Sequence, residues 1–406
     1  MFRIIVNMGR QHMYIQRDGY LEEILSVTGK QVITVLTGMR RVGKSTILKQ
    51  IQERLVADGV SEDKIIHINF ELLEYESIKH YKTLYEYIHN RLVSNERYYV
   101  FLDEIQEVDG FEKVINSLHA EDAAELFITG SNSSLLSGEL ASYLTGRFYS
   151  IEILPLSFKE MYDFIPFAER KEKFFAYLKT GGLPGTLQFN SENTIRNYLL
   201  DLYQSLLLRD IVQRYAIRNV DLLKRFIQYL FENTGQLFSA VSISKFMKNE
   251  QRKLSTETIY QYLDYAKQAF LIHGVPRYDV KGKHILKTNE KTFVNDIGLR
   301  SLFFDNELDI GQTLENIVYL HLRRKGYDVY VGKLGTKEID FIATRSSEKI
   351  YIQVAYLLAE KSTIEREFNP LEAIPDNYPK MVLSLDPVNR SRNGIIHMNI
   401  IDYLLA

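Results

Sequence analysis

"GMRRVGKS", residues 38–45, decides the fold. It fits the pattern G-x-x-x-x-G-K-[ST], with Gly38, Gly43, Lys44 and Ser45 in the fixed positions. The run before it, "QVITVLT" (31–37), is short, apolar and β-branched, which predicts a buried strand. The run after it, "TILKQIQERLVADG" (46–59), has helical spacing and ends on Gly59. Strand, glycine loop and helix in that order make a phosphate cradle. The glycines let the backbone turn its N–H groups inward, and the helix N-terminus adds partial positive charge. Lys44 is then placed for the β and γ phosphates of ATP, and Ser45 for Mg²⁺. Thr46 shares that first turn. Arg40 and Arg41 inside the loop read either as phosphate contacts or as interface residues.

About 60 residues on, "YYVFLDEIQ" (98–106) predicts a second buried strand with Asp103 and Glu104 at its tip. Asp103 is expected to hold Mg²⁺, and Glu104 to orient and deprotonate the attacking water, which points to hydrolysis rather than binding alone. "LFITGSN" (126–132) ends a further strand on Ser131 and Asn132, which can sense the γ-phosphate or position water. "LTGRFYSIEI" (144–153) sets Arg147 before another strand. An arginine there is either a finger that neutralises charge during phosphoryl transfer, in cis or on a neighbouring copy, or a surface ion pair. Strands alternating with helices imply an α/β fold with a parallel sheet covered on both faces.

The motifs "GMRRVGKST", "FLDEIQ", "LFITGSNSSLLS", "LTGRFYSIEILPLSF", "GGLP" and "LLLRDIVQRY", in this order, resemble the prokaryotic AAA+-type ATPases that carry a C-terminal domain of unknown function. The resemblance runs from about residue 20 almost to the end. It implies an ASCE-type P-loop ATPase, a helical lid, a winged helix and a C-terminal restriction-endonuclease-like fold. The expected division is an extension over 1–19, the ATPase core over 20–156, the lid over 157–235, the winged helix over 236–310 and the nuclease-like domain over 311–406.

Bulk composition limits what else the chain can do. It has 406 residues, a net charge of −2 and no cysteine, so disulfides, thiolate metal sites and cysteine nucleophiles are excluded. No apolar run is long enough to span a membrane, and the N-terminus has no signal-type core, so a cytoplasmic location is expected. Any attraction to nucleic acid must be local. Residues 236–300 supply such a region, with eleven Lys/Arg against six Asp/Glu. Helical runs at 242–249 and 255–272, then a hairpin over 277–294 turning at Gly282, read as a helix-turn-helix with a basic wing. The expected DNA contacts are Lys245, Lys248, Arg252, Lys253, Lys281, Lys283 and Lys287. The alternative is a nucleotide switch that gates a protein partner, its lysines merely solvating the surface. A homo-oligomer is left open.

At the C-terminus, a helix carrying Glu315, a strand with Glu338 and Asp340, and the strand "IYIQVAYLL" (350–358) follow the order of a metal-dependent nuclease. Such a site closes with a carboxylate and a lysine two residues apart; here those positions hold Gln353 and Ala355. Two groups that would bind the ion and activate water are missing. An altered, non-cleaving site is expected. A displaced lysine such as Lys361 would restore an active nuclease.

Overall fold

The computed structural model describes residues 14–93, 96–136, 146–304 and 309–406, without the side chains of 134, 136 and 287–289. The chain forms two units, Met1–Ile153 and Leu154–Ala406. The first thirteen residues of the expected N-terminal extension, and the Lys287 side chain, lie outside the described atoms.

The first unit is a P-loop NTPase fold. Its elements are α1 (Asp18–Val27), β1 (Ile33–Thr37), α2 (Lys44–Ala57), β2 (Ile65–Asn69), α3 (Tyr81–His89), β3 (Tyr99–Asp103), α4 (Phe111–Ala120), β4 (Glu125–Gly130) and β5 (Phe148–Glu152). Five parallel strands run in the order β2-β3-β4-β1-β5. The central strands are buried almost end to end, as strands covered on both faces must be, while β2 and β5 at the edges are partly open. One strand, β4, lies between β1, which feeds the glycine loop, and β3, which carries Asp103. Register aligns their carboxyl ends: Thr37 opposes Gly130, and Leu102 opposes Ile128. Phe101 and Phe127 stack across β3 and β4 at 4.6 Å, a contact of about 1 kcal/mol that fixes this register.

The second unit begins with helices α5 (Arg170–Thr180), α6 (Glu192–Ser205) and α7 (Val220–Glu232), with a π-helical stretch, Leu206–Gln213, prolonging α6. Next come α8 (Ala240–Asn249) and α9 (Thr256–Gln268), each started by a serine cap, Ser239 and Ser255. Besides two four-residue helices, Phe158–Met161 and Ile297–Arg300, the remaining elements are β6 (Ile272–Asp279), β7 (His284–Val294), α10 (Ile310–Arg324), β8 (Asp328–Leu334), β9 (Lys337–Arg345), β10 (Glu348–Val354), α11 (Lys361–Glu372), β11 (Lys380–Ser384), β12 (Ile395–Asn399) and α12 (Ile400–Leu405).

These strands form one mixed sheet, β12-β11-β10-β9-β8-β6-β7. The hairpin expected to be a free wing is part of it, because Arg277–Asp279 pair with Val331–Lys333. The sheet therefore crosses the boundary expected at 310/311. The hairpin turns through Gly282, as expected. Lys283 there takes a left-handed conformation (φ 52°), and the Asp279 carboxylate accepts the backbone N–H groups of Lys281 and Gly282. After β11 the chain closes this region with β12 and α12.

Candidate functional site

Three positive-φ residues, Gly38, Arg41 and Gly43, shape the P-loop. Gly38 has φ +139°, and a Cβ there would lie 2.4 Å from the Ile153 carbonyl oxygen, so only glycine fits. Gly43 has φ +100° and precedes α2, whose first turn carries no side-chain cap. That helix end is left open toward an anion. Arg41 takes φ +69°, a left-handed conformation unusual for a non-glycine residue, and is exposed. Arg40 instead turns to Glu71, 2.5 Å away, so the two loop arginines are not equivalent.

Lys44 is only 4% exposed. Its ammonium donates to the Gly38 and Met39 carbonyls at 3.0 and 3.3 Å and lies 3.4 Å from the Glu104 carboxylate. Asp103 is fully buried at the end of β3. It accepts from the Thr129 hydroxyl at 2.6 Å and the Asn69 amide at 3.1 Å, and its third partner is the Ser45 hydroxyl. Burial raises the Asp103 pKa, and the Ser45 and Thr129 hydrogen bonds oppose that rise without cancelling it. A hydroxyl and a carboxylate side by side are the hard oxygen donors that Mg²⁺ takes, so the residues fit that ion.

Glu104 has φ +55° and is buried. Burial pushes its pKa up, but Lys44, Gln106, Arg40 and Ser131 together outweigh it and hold the carboxyl below its ordinary value. The group stays ionised at neutral pH, the state a general base needs. Its backbone N–H donates to Thr129 Oγ1 at 2.8 Å, and Gln106 donates to its carboxylate at 2.6 Å. Thr129 thus bridges the two acidic residues from the adjacent strand. Ser131 and Asn132 are buried just past β4.

Arg147 is not brought to the site. It precedes β5 beside the amino end of β1, where its carbonyl accepts from Ile33, and its guanidinium donates to Asn116 at 3.4 Å. The glycine loop leaves the other end of β1, roughly 13 Å along the strand. A finger in cis is therefore excluded in this conformation by strand polarity.

Residues 30–162 match the family model of an AAA domain, and residues 171–309 match that of a domain of unknown function (DUF8612). An uncharacterized protein of Haemophilus influenzae is 36% identical over 398 residues, with 96% of this chain and 98% of that protein covered. An uncharacterized protein of Methanocaldococcus jannaschii is 33% identical over 373 residues, covering 88% of this chain and 80% of the other. This chain belongs to the same family as these two proteins. A solved structure, the Walker-type ATPase of Pyrococcus abyssi, has a TM-score of 0.47 at 14% identity, covering 70% of this chain and 94% of that one.

In this AAA-domain protein the basic segment of the second unit is less basic than its composition. Arg300 is fully buried against the Phe231 carbonyl, Thr313 and Asp309. Lys291 is buried too, and Arg252 pairs with Asp221 and Glu250. The second helix, α9, exposes Glu257, Tyr260 and Asp264, and its one lysine, Lys267, pairs with Glu290 at 2.5 Å. The charge left at the surface sits on Lys245, Lys248 and Lys253, on and just after α8, and on Lys281 and Lys283 at the hairpin turn.

The C-terminal residues do converge. Glu315, Glu338, Asp340, Gln353 and Glu367 line one cavity of about 720 Å³. Gln353 and Asp340 have a structural task there. The β9–β10 ladder ends at the pair Phe341 and Ile352, and the next groups are satisfied by side chains. The Asp340 N–H donates to Gln353 Oε1 at 2.7 Å, and the Val354 N–H donates to Asp340 Oδ2 at 2.8 Å. Gln353 also donates to Glu367 at 3.1 Å. Ala355 packs into the apolar core of this region. Lys361 is 89% exposed and pairs with Glu365, so it is no displaced active-site lysine. The lysine that reaches the carboxylates is Lys291, from β7, which sequence spacing gave no reason to single out. Among the described residues, no group of three or more His, Asp or Glu side chains is arranged to hold a metal ion.

Proposed function

We propose that the first unit hydrolyses ATP with Mg²⁺ and that this activity governs a second unit that holds DNA by its phosphates. The observation that carries the ATPase reading is the meeting of Lys44, Ser45, Asp103 and Glu104 at the carboxyl ends of β1 and β3. Ser45 and Asp103 would hold the ion, which supplies charge neutralisation at the phosphates. The Lys44 ammonium, now donating to loop carbonyls and facing Glu104, would turn to phosphate oxygens. Glu104, kept ionised and oriented by Thr129 and Gln106, would accept a proton from water. Ser131 and Asn132, buried just past β4, would sense the terminal phosphate.

DNA contact is supported by the exposed lysines of α8 and the hairpin turn. An acidic α9 argues against base reading by that helix, so the expected binding is sequence-tolerant and strongly salt-dependent. A second reading rests on exposed Leu237, Val241, Tyr260 and Ile285 in the same segment, which suit a protein partner. Phosphate release with and without duplex DNA, together with a mobility assay across a salt series, tests the proposal. Stimulated turnover and a steep loss of affinity with salt support it. No DNA binding at low salt leaves the protein-partner reading.

A further inference from the structure

The C-terminal cavity has the carboxylates of a divalent-metal site but not the free ligands. We propose that Lys291 is the built-in counter-ion of this cavity and takes the electrostatic place of a divalent cation. Its ammonium lies 2.8 Å from Glu338 and 3.3 Å from Glu315, and its charge also faces Asp340. The lysine side chain is 6% exposed while Glu338 is 36% exposed, so the ammonium is largely withdrawn from water and reaches its acceptors at the cavity wall.

With Lys291 in place the other ligand atoms are also partly engaged, though each hydrogen bond leaves its carboxylate further lone pairs. Asp340 Oδ2 is held by the Val354 N–H. The Gln353 carbonyl oxygen, the one atom of that residue able to ligate a hard cation, accepts from the Asp340 N–H. Glu367 accepts from Gln353 through one oxygen and from Arg366 at 2.8 Å through the other. Mg²⁺ demands near-octahedral oxygen coordination, which this set does not offer while the Lys291 ammonium stands among the carboxylates. The residues do not fit the metal that a nuclease-like fold implies.

The lysine arrives from a direction that ties two parts of the unit together. It stands on β7, the edge strand of the sheet, while its partners stand on α10 and β9. Neutralising the cavity therefore also seats the hairpin that bears the basic turn. Lys291 is a positioning residue, and the inference stands independently of the ATPase reading.

Mn²⁺ binding to the nucleotide-free full chain tests it, with stoichiometry read by electron paramagnetic resonance. Wild type and Asp340→Asn are expected to bind the same number of ions. Lys291→Met is expected to bind one more, and Lys291→Met with Asp340→Asn to lose it. Comparison with Asp340→Asn subtracts any ion held by Ser45 and Asp103. An ion bound by wild type and lost in Asp340→Asn overturns the proposal. So does a folded Lys291→Met that gains none. If Lys291→Met does not fold, Lys291→Arg decides: it keeps the charge, so it must fold and gain no ion, and a gained ion overturns the proposal.

Discussion

Thr129→Val removes one hydroxyl and keeps the side-chain shape, so its effect isolates two hydrogen bonds. Thr129 Oγ1 accepts from the Glu104 N–H at 2.8 Å and donates to Asp103 at 2.6 Å, and all three residues are buried. Losing the acceptor strands a buried N–H, at a cost of about 1–3 kcal/mol. Losing the donor weakens a charge-assisted bond, but Asn69 and Ser45 still serve Asp103, so only about 1 kcal/mol is added. The sum is roughly 2–4 kcal/mol. With a urea m-value of about 2 kcal/mol per molar, the unfolding midpoint of the first unit falls by roughly 1–2 M. The Glu104 backbone, held at φ +55°, loses the bond that fixes it. A displaced base costs about 10- to 100-fold in turnover, while ATP affinity changes by less than about threefold. Urea unfolding and steady-state phosphate release measure both, and Thr129→Ser is expected to recover most of each loss. A midpoint within about 0.2 M of wild type, with unchanged turnover, would refute the bridging role.

Gly38→Ala places a Cβ 2.4 Å from the Ile153 carbonyl, so the loop must shift and ATP affinity is expected to fall at least about tenfold; wild-type affinity in a fluorescent-nucleotide titration would contradict the geometry. Gln353→Ala leaves the Asp340 N–H without its acceptor and should destabilise the second unit by about 1–3 kcal/mol in chemical denaturation; an effect under about 0.5 kcal/mol would remove its structural task. Burial raises Glu315 from 4.5 to about 6 against the pull of Lys291. A carboxyl raised in the folded state contributes stability below its unfolded value that is lost as pH rises through about 6. Wild type should therefore gain stability over Glu315→Gln on acidification between about 6 and 4.5, and parallel melting profiles for the two would defeat the assignment.

What could be read from the chain alone was the chemistry held in contiguous runs. Gly38, Gly43, Lys44 and Ser45 lie in one loop and helix start, and Asp103 and Glu104 end one strand, so spacing and period were enough to locate them in the fold. Thr129 and Asn69 became visible only with the strand order, because their roles depend on β4 and β2 flanking β3. Arg147 was ambiguous for a related reason: a residue before a strand can lie by either end of a neighbour, and parallel pairing puts it at the amino end of β1, away from the glycine loop. The basic count over 236–300 overstated the surface, since Lys291 and Arg300 are turned inward against carboxylates. Lys291 meets Glu315 and Glu338 only because the hairpin joins the C-terminal sheet, a long-range pairing with no local signature.

The central claim is that the Lys44–Asp103–Glu104 constellation hydrolyses ATP. Phosphate release by Glu104→Gln, measured beside its ATP affinity, tests it most directly. The account predicts turnover reduced at least about 100-fold with ATP affinity within about threefold of wild type. Wild-type turnover by Glu104→Gln would contradict it.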